Sequence, residues 1–414
     1  MHTALTIVFF SIIGVIVYIY AGYPIVLFLL GLFARRRPPA EISDLPSIAM
    51  IISAHNEERI IRDKIENSLL LDYPRDRLKI IVASDGSIDA TNAIVREYEH
   101  RGIVLKAFPR REGKSSTLNR AVLGIEEDVL VFSDANVFYD EGALRALVRN
   151  FADEEVGCVV GRLVYLDTDS YVGKGESLYW RYEGLLNRLE SRLRSVLVAT
   201  GPIFAIRREL FRPVMKDVAN DFQIPADVAQ LGYGAVYDGE AVAYERSTYF
   251  FREEFSRKRR IIVRGLTGYH HLRGAFGGIL RSFQFVSRKL LRWWIGALLP
   301  VLYIVNTMLL DDPFFRIVFV LQNIFYAAAA VGAVLRRGHV KSRIFFMPFY
   351  FVMVNGAALA AIATWLAGGR LSAWEKAETT RHVEERPAPP VSALRVIEGQ
   401  KKVSGPVEDF ERIT

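Results

Sequence analysis

A single cysteine, Cys158, stands in 414 residues, which excludes an internal disulfide. Seven histidines are present and no Cys/His cluster is visible, so no thiolate or imidazole metal centre is implied. Tandem repeats are missing too. Gly113-Lys114-Ser115 suggests a phosphate-binding loop, but the glycine such a loop needs five residues upstream is Phe108, and that reading is excluded. Charge is nearly absent from residues 4–33, 291–310, 314–335 and 344–366. Each run meets or exceeds the ~20 apolar residues a helix needs to cross a bilayer. The first is too long for a signal-peptide core and lacks a basic start, so it reads as a membrane helix with Pro24 a potential kink.

The charge that is present is net positive, +7, and it clusters beside those runs: Arg35-Arg36-Arg37, Arg257-Lys258-Arg259-Arg260, Arg288-Lys289, Arg336-Arg337 and Lys341 with Arg343. That placement points to a membrane flank rather than to nucleic acid. The positive-inside rule places residues 35–37 and 336–343 in the cytoplasm and Asp311-Asp312-Pro313 outside. Trp293 and Trp294 suit an interfacial belt. Counting the crossings places the carboxyl tail outside, while its Arg370, Lys376 and Arg381 favour the inside, so the side of the tail stays open. The expected domains are a membrane helix over 1–37, a cytoplasmic domain over 38–252 and amphipathic interfacial helices over 253–289. Membrane helices over 290–368 and a largely disordered tail over 369–414 follow.

Residues 47–160 alternate apolar strand and amphipathic helix, which predicts an α/β fold: a mainly parallel sheet with helices on both faces. Strands are expected at 47–53, 78–84, 103–107, 129–132 and 156–160, and a further turn and strand at 198–206. A helix is expected from Tyr179 to about Arg194, another from Asp221 to Leu231, then a strand over 235–238.

Ligands bind outside the carboxyl ends of the strands of such sheets. Asp85, Asp134 and Asp221 all fall at predicted strand or loop ends, where one sheet edge can bring them together. A nucleotide-diphosphate donor needs a group that reads base and ribose, a metal against the diphosphate, and a base for the acceptor. Plainer readings exist for each: Asp85 and Asp89 as a turn and helix cap, Asp134 as a cap, Lys114 and Asn119 as a helix start, His55 as a loop residue and Cys158 as a small buried one.

The ordered set is more telling than its parts. Asn56-Glu57-Glu58, Asp85-Gly86-Ser87-Ile88-Asp89, Gly113-Lys114 with Leu118-Asn119, Ser133-Asp134-Ala135-Asn136, Thr200-Gly201-Pro202 and Asn220-Asp221 together resemble family 2 glycosyltransferases. The resemblance is to the membrane-integrated group holding cellulose, poly-N-acetylglucosamine, hyaluronan and chitooligosaccharide synthases, and covers about residues 45–270. It implies a GT-A fold, inverting transfer, a divalent Mg2+ or Mn2+ and a UDP-sugar donor. Asp85 would contact the nucleobase, Asn56, Glu57 and Lys114 would lie against the donor, and Asp134 with Asn136 would hold the metal. Asp221 would be the general base.

Asn136 replaces the second aspartate of the metal motif, an amide that ligates with less charge. Asn220 stands where processive synthases often have Glu, and Arg264-Gly265 keeps the Arg of their Gln-(Gln/Arg)-x-x-Arg-Trp signature without its Gln or Trp. The implied partners are a glycan or lipid-linked acceptor, the bilayer of the cell membrane and subunits for export or polysaccharide synthesis, with no nucleic acid. The alternatives are transfer to a polyprenyl phosphate, a non-catalytic nucleotide-sugar-binding subunit, and a transporter. The last is disfavoured by the absence of charge near the middle of the spans.

Overall fold

The computed structural model describes residues 1–34, 44–166, 171–246, 251–272, 278–335 and 343–369. The basic clusters at 35–37 and 336–342, the linker at Pro38-Pro39 and the tail expected to be disordered lie outside the described residues.

Strands β1 (Ile48–Ala54), β2 (Leu78–Asp85), β3 (Ile103–Phe108) and β4 (Val129–Asp134) run parallel. With β5 (Val137–Tyr139), β6 (Val156–Tyr165), β7 (Phe204–Arg207) and β8 (Gly234–Glu245) they form one eight-stranded sheet in the order β3-β2-β1-β4-β7-β6-β8-β5. β7 is antiparallel to both its neighbours, β8 is parallel to β6, and β5 closes the edge antiparallel to β8, so the sheet is mixed.

The period of two explains the layers. In β1, Ile48, Met50 and Ile52 face one apolar core, where α2 (Ile61–Leu69) and α5 (Ala143–Val148) pack. Ala49 and Ile51 face the other, with Leu118 and Ala121 of α4 (Lys114–Val122) and Ile224 and Val228 of α7 (Asn220–Gln230). The short helix between β2 and β3 is α3 (Thr91–Arg96). The sequence places strand ends at Val160 and Asp238, but β6 and β8 continue to Tyr165 and Glu245. Glycines hide the continuation: the register shifts between Val160 and Arg162, and a Cβ on Gly161 would lie 2.7 Å from Ala241 O.

Four helices are long and apolar enough to cross a membrane. They are α1 (His2–Leu32), α9 (Ile279–Thr307), α10 (Pro313–Leu335) and α11 (Arg343–Leu366). A π-helical turn at Tyr18–Gly22 precedes Pro24, where a helix must reroute its hydrogen bonds. A second one, Val286–Leu290, lies inside α9. The basic stretch expected to form interfacial helices over 253–289 is two different things. Its first part is α8 (Phe251–Leu272), which packs Ile262, Val263 and Leu266 on Ala358, Ala361 and Ile362 of α11. Its last part is the start of α9, so no boundary falls at residue 290. Trp294 faces outward as an interfacial residue would, whereas Trp293 packs inward.

Helix α6 (Tyr171–Arg192) joins the sheet to the membrane helices through buried charge. Arg288 of α9 donates to Glu190 Oε2 at 2.5 Å and to Glu183 Oε2 at 2.6 Å, and Arg292 donates to Glu183 Oε1 at 2.5 Å. Tyr23 of α1 donates to Glu190 Oε1 at 2.6 Å. Burial alone would raise the Glu183 carboxyl; Arg292, Lys289 and Arg288 outweigh it and hold that carboxyl well below its ordinary value.

Candidate active site

The loops after β1 and β2 are laced together. His55 Nδ1 bonds Asp85 O at 2.7 Å, Asn56 N donates to Ser87 Oγ at 3.0 Å, and Ile88 N donates back to Asn56 Oδ1 at 2.8 Å. Glu57 N donates to Thr91 Oγ1 at 2.7 Å, and Ala90 N to Glu58 Oε2 at 3.0 Å. Asn56 adopts φ 51°, a left-handed position that asparagine tolerates better than most residues. His55 is thus a loop-bracing residue, as its plainer reading held.

Asp85 is buried, and its carboxylate accepts Glu112 N at 2.8 Å and Gly113 N at 2.9 Å. It thereby fixes the turn into α4, which Gly113 makes at φ 94°. The turn delivers Lys114, whose ammonium pairs with Asp134 Oδ1 at the end of β4. Asp134 lies opposite Ser53 of β1, and Ser53 lies opposite Ala83 of β2, which puts Asp85 and Asp134 at the same sheet edge.

Asn119 of α4 holds the segment before α7 by a reciprocal pair, donating to Val214 O at 2.9 Å and accepting Val214 N at 2.7 Å. Asp221 follows in the first turn of α7, where the helix dipole favours negative charge. Ala199 N donates to Asp221 O at 2.8 Å, and a Cβ on Gly201 would lie 3.1 Å from Asp221 Oδ2. The Thr200-Gly201-Pro202 loop therefore lies directly against this carboxylate. Burial pushes the Asp221 carboxyl up; Lys114, Arg264 and Lys289 pull it back, and Asp134 adds to the rise.

A cavity of about 890 Å³ opens at this edge, lined by Lys114, Asp134, Asn136, Gly201 and Asp221 among others. Asn56, Glu57 and Asp85 are not among its lining residues; they frame the sheet edge beside it. The predicted residues thus fall in two groups, bridged by the Asp85-to-Lys114 turn.

Two residues went unnoticed in the sequence. Glu245, at the far end of β8, accepts Asn136 Nδ2 at 2.9 Å and lines the cavity, so a carboxylate does stand beside the amide at 136. Lys64 of α2 is fully buried, with Nζ 2.5 Å from Val137 O and 4.5 Å from the centre of the Tyr139 ring. Tyr139 in turn donates to Phe132 O at 3.0 Å and Pro202 O at 2.9 Å, which ties the turn after Asp134 to the 200–202 loop. Nothing in local pattern marks either residue; both are set by long-range pairing.

Burial lowers the Lys64 ammonium to about 7, with Asp134 offsetting part of the effect. The unfolded chain therefore holds this proton between pH 7 and about 10 where the folded chain does not, and stability rises with pH across that window. The wild-type unfolding free energy, and with it the melting midpoint, is expected to climb from pH 7 to pH 9, by up to ~1.4 kcal/mol per pH unit from this group. Lys64→Met should lack that component when the two proteins are melted side by side.

An octahedral, hard cation such as Mg2+ is commonly bound through one or two carboxylates plus substrate phosphates. Asp134 and the amide oxygen of Asn136 offer such a set, and the Lys114 ammonium already sits on Asp134 as a positive charge. Among the described residues no group of three or more His, Cys, Asp or Glu side chains could hold a metal unaided. The donor set accordingly fits a cation shared with a phosphate ligand.

Residues 49–214 match the profile of glycosyl transferase family 2. The Bacillus subtilis (strain 168) protein named "Probable glycosyltransferase YdaM" is 28% identical over 228 residues, 50% of this chain and 52% of that protein. The poly-beta-1,6-N-acetyl-D-glucosamine synthase of Staphylococcus epidermidis is 22% identical over 42% of this chain and 43% of its own length. The chain spans about half or less of the length of these curated relatives. Among solved structures, the mannosyltransferase PcManGT from Pyrobaculum calidifontis, in complex with GDP-Man and Mn2+, superposes with a TM-score of 0.63 at 20% identity. It covers 87% of this chain and 99% of its own, a likeness of fold.

Proposed function

We propose that this chain, which carries a glycosyl transferase family 2 domain on a GT-A-like fold, is a membrane-bound inverting glycosyltransferase. It would move a sugar from a UDP-sugar to the hydroxyl of a glycan or lipid-linked acceptor at the cytoplasmic face of the cell membrane. The observation that carries this reading is Asp221: a carboxylate with a raised proton affinity, on the wall of the cavity that Asp134 and Lys114 also line.

In this reading Asn56, Glu57 and Asp85 bracket the nucleoside from the ends of β1 and β2. Lys114 would meet the diphosphate, and Asp134 and Asn136 would hold Mg2+ or Mn2+ beside it. That cation supplies neutralisation of the charge developing on the leaving diphosphate. Asp221 takes the acceptor's proton as its oxygen attacks the anomeric carbon, and burial keeps its proton affinity closer to the working pH than that of an exposed aspartate. The 200–202 loop fixes where Asp221 points.

Purified chain given UDP-sugars should release UDP with Mg2+ or Mn2+. A chelator should cut that release by on the order of 100-fold, with recovery when the cation is restored. Release that is indifferent to the chelator would remove the metal from this scheme, and no release with any nucleotide sugar would favour a binding subunit.

A further inference from the structure

Helix α2 has the apolar spacing of a helix packed on a sheet: Ile61, Ile65 and Leu69 fall on one face and are buried in the core. Lys64, Asn67 and Ser68 are buried with them. Ser68 turns back on its own helix, its Oγ donating to Lys64 O at 2.8 Å. The other two polar side chains reach across to the sheet, and burying them is costly unless they meet partners there.

Their partner is the free edge of β5. That strand has three residues and stands last in the sheet, beside β8 alone. Backbone groups alternate between the two edges of a strand, and an edge with no neighbouring strand leaves a row of donors and acceptors to be met. Asp140 N donates to Val242 O at 3.0 Å, so positions 138 and 140 face β8 and positions 137 and 139 face α2. Asn67 exchanges two hydrogen bonds with Tyr139, accepting its N–H at 2.8 Å and donating to its O at 2.9 Å. Lys64 Nζ donates to Val137 O at 2.5 Å and lies over the Tyr139 ring. Residues three apart share a helix face, so this face of α2 stands in for a further strand.

The clamp lies next to the candidate metal donors, which hang from different supports. Asp134 ends β4 and pairs with Ser53 of β1, inside the sheet. Asn136 immediately precedes β5 and moves with it. Glu245 of β8 accepts Asn136 Nδ2 on one side of that strand, and α2 holds the strand from the other. Neither Lys64 nor Asn67 lines the cavity, so their influence on a ligand there is indirect.

We propose that Asn67 and Lys64 are positioning residues: by holding the free edge of β5 they set where Asn136 stands relative to Asp134, and so how well the two take a divalent cation together with a nucleoside diphosphate. This rests on Asp134 and Asn136 being the metal donors of the proposed glycosyltransferase.

The test uses the full chain in detergent, with Mn2+ and UDP as probes. Electron paramagnetic resonance reads Mn2+ binding at saturating UDP, calorimetry reads UDP binding without metal, and deuterium uptake is followed on the metal-free chain. Asn67→Leu keeps the side chain's approximate size and removes both bonds to Tyr139. It should raise the Mn2+ half-saturation by about 10- to 100-fold, the usual effect of removing a group that orients metal ligands from behind. Exchange over residues 134–140 should quicken while β1 stays protected. UDP affinity without metal, and kcat at saturating Mn2+, should be unchanged. Lys64→Met removes a single bond and should act in the same direction but more weakly; loss of its charge alone would tighten the cation instead. Combined, the two changes should fall short of the sum of their effects, because both act on one strand.

Wild-type Mn2+ affinity in Asn67→Leu would overturn the proposal. So would tighter Mn2+ binding in Lys64→Met, or exchange that quickens through β1 as much as through β5, which would make the pair ordinary scaffolding. In each of these cases the parent chain still binds UDP and Mn2+, and the glycosyltransferase reading stands. A parent chain that takes up neither would sink that reading, and the proposal with it.

Discussion

Asp221→Asn is expected to slow sugar transfer by on the order of 100- to 10,000-fold, the usual contribution of a positioned base, and to melt no lower than the parent. The two halves have one cause. Burial raises the proton affinity of Asp221 in the fold. A carboxyl raised in this way contributes stability while protonated, below its unfolded value near 4, and loses it as pH rises through the folded one. At neutral pH the ionised group is therefore a cost, which the uncharged amide removes. The rate should likewise fall on the acid side, with its midpoint above that of an ordinary aspartate. Transfer assays and thermal melts on the same preparations read both. Undiminished transfer would mean that the acceptor's nucleophile arrives already ionised, as a polyprenyl phosphate would, and Asp221 would lose its role as base.

Arg288→Met should cost about 3–5 kcal/mol, the usual price of breaking a buried ion pair from one side. Arg288 is 2% exposed, Glu183 4% and Glu190 0%, so neither carboxylate can turn to water. Unfolding in detergent would show the loss. Adding Glu183→Gln and Glu190→Gln should recover much of it, because the penalty lies in the stranded charges more than in the missing bonds. A single variant as stable as wild type would mean that Arg292 and Lys289 suffice for Glu183 and that Glu190 needs only Tyr23 and Leu197 N.

Much of this was legible in the chain. The alternation through residues 47–160 gave the parallel half of the sheet, because its central strands, β1 and β4, are apolar and buried on both faces and bounded by turn residues. Four nearly uncharged runs gave the spans. Asp134 and Asp221 end up on one cavity, as their positions at element ends suggested. What stayed hidden depends on partners far along the chain. Glu245 is 109 residues from Asn136, and Arg288 is 98 from Glu190. The continuations of β6 and β8 run through Gly161 and Gly239, a residue type that weakens a strand pattern and that here lies within the strands. The basic stretch after Glu253 looked interfacial by composition; what composition did not show is that α8 packs Ile262, Val263 and Leu266 on α11 and bonds Val218 O through Arg264.

The lacing of the first two loops bears on how ligand contacts there would add up. Asn56 and Asp85 come from different strands, but the hydrogen bonds from His55, Asn56 and Glu57 to residues 85–91 bind the two loops into one body. Such a body opens as a unit in hydrogen exchange, and changes at its two ends share partners. Their effects should therefore be strongly non-additive: once either loop is loosened, the second substitution has little left to take away. In the proposed donor site, Asn56 and Asp85 would thus act in free-energy terms as a single recognition element that happens to be written in two places.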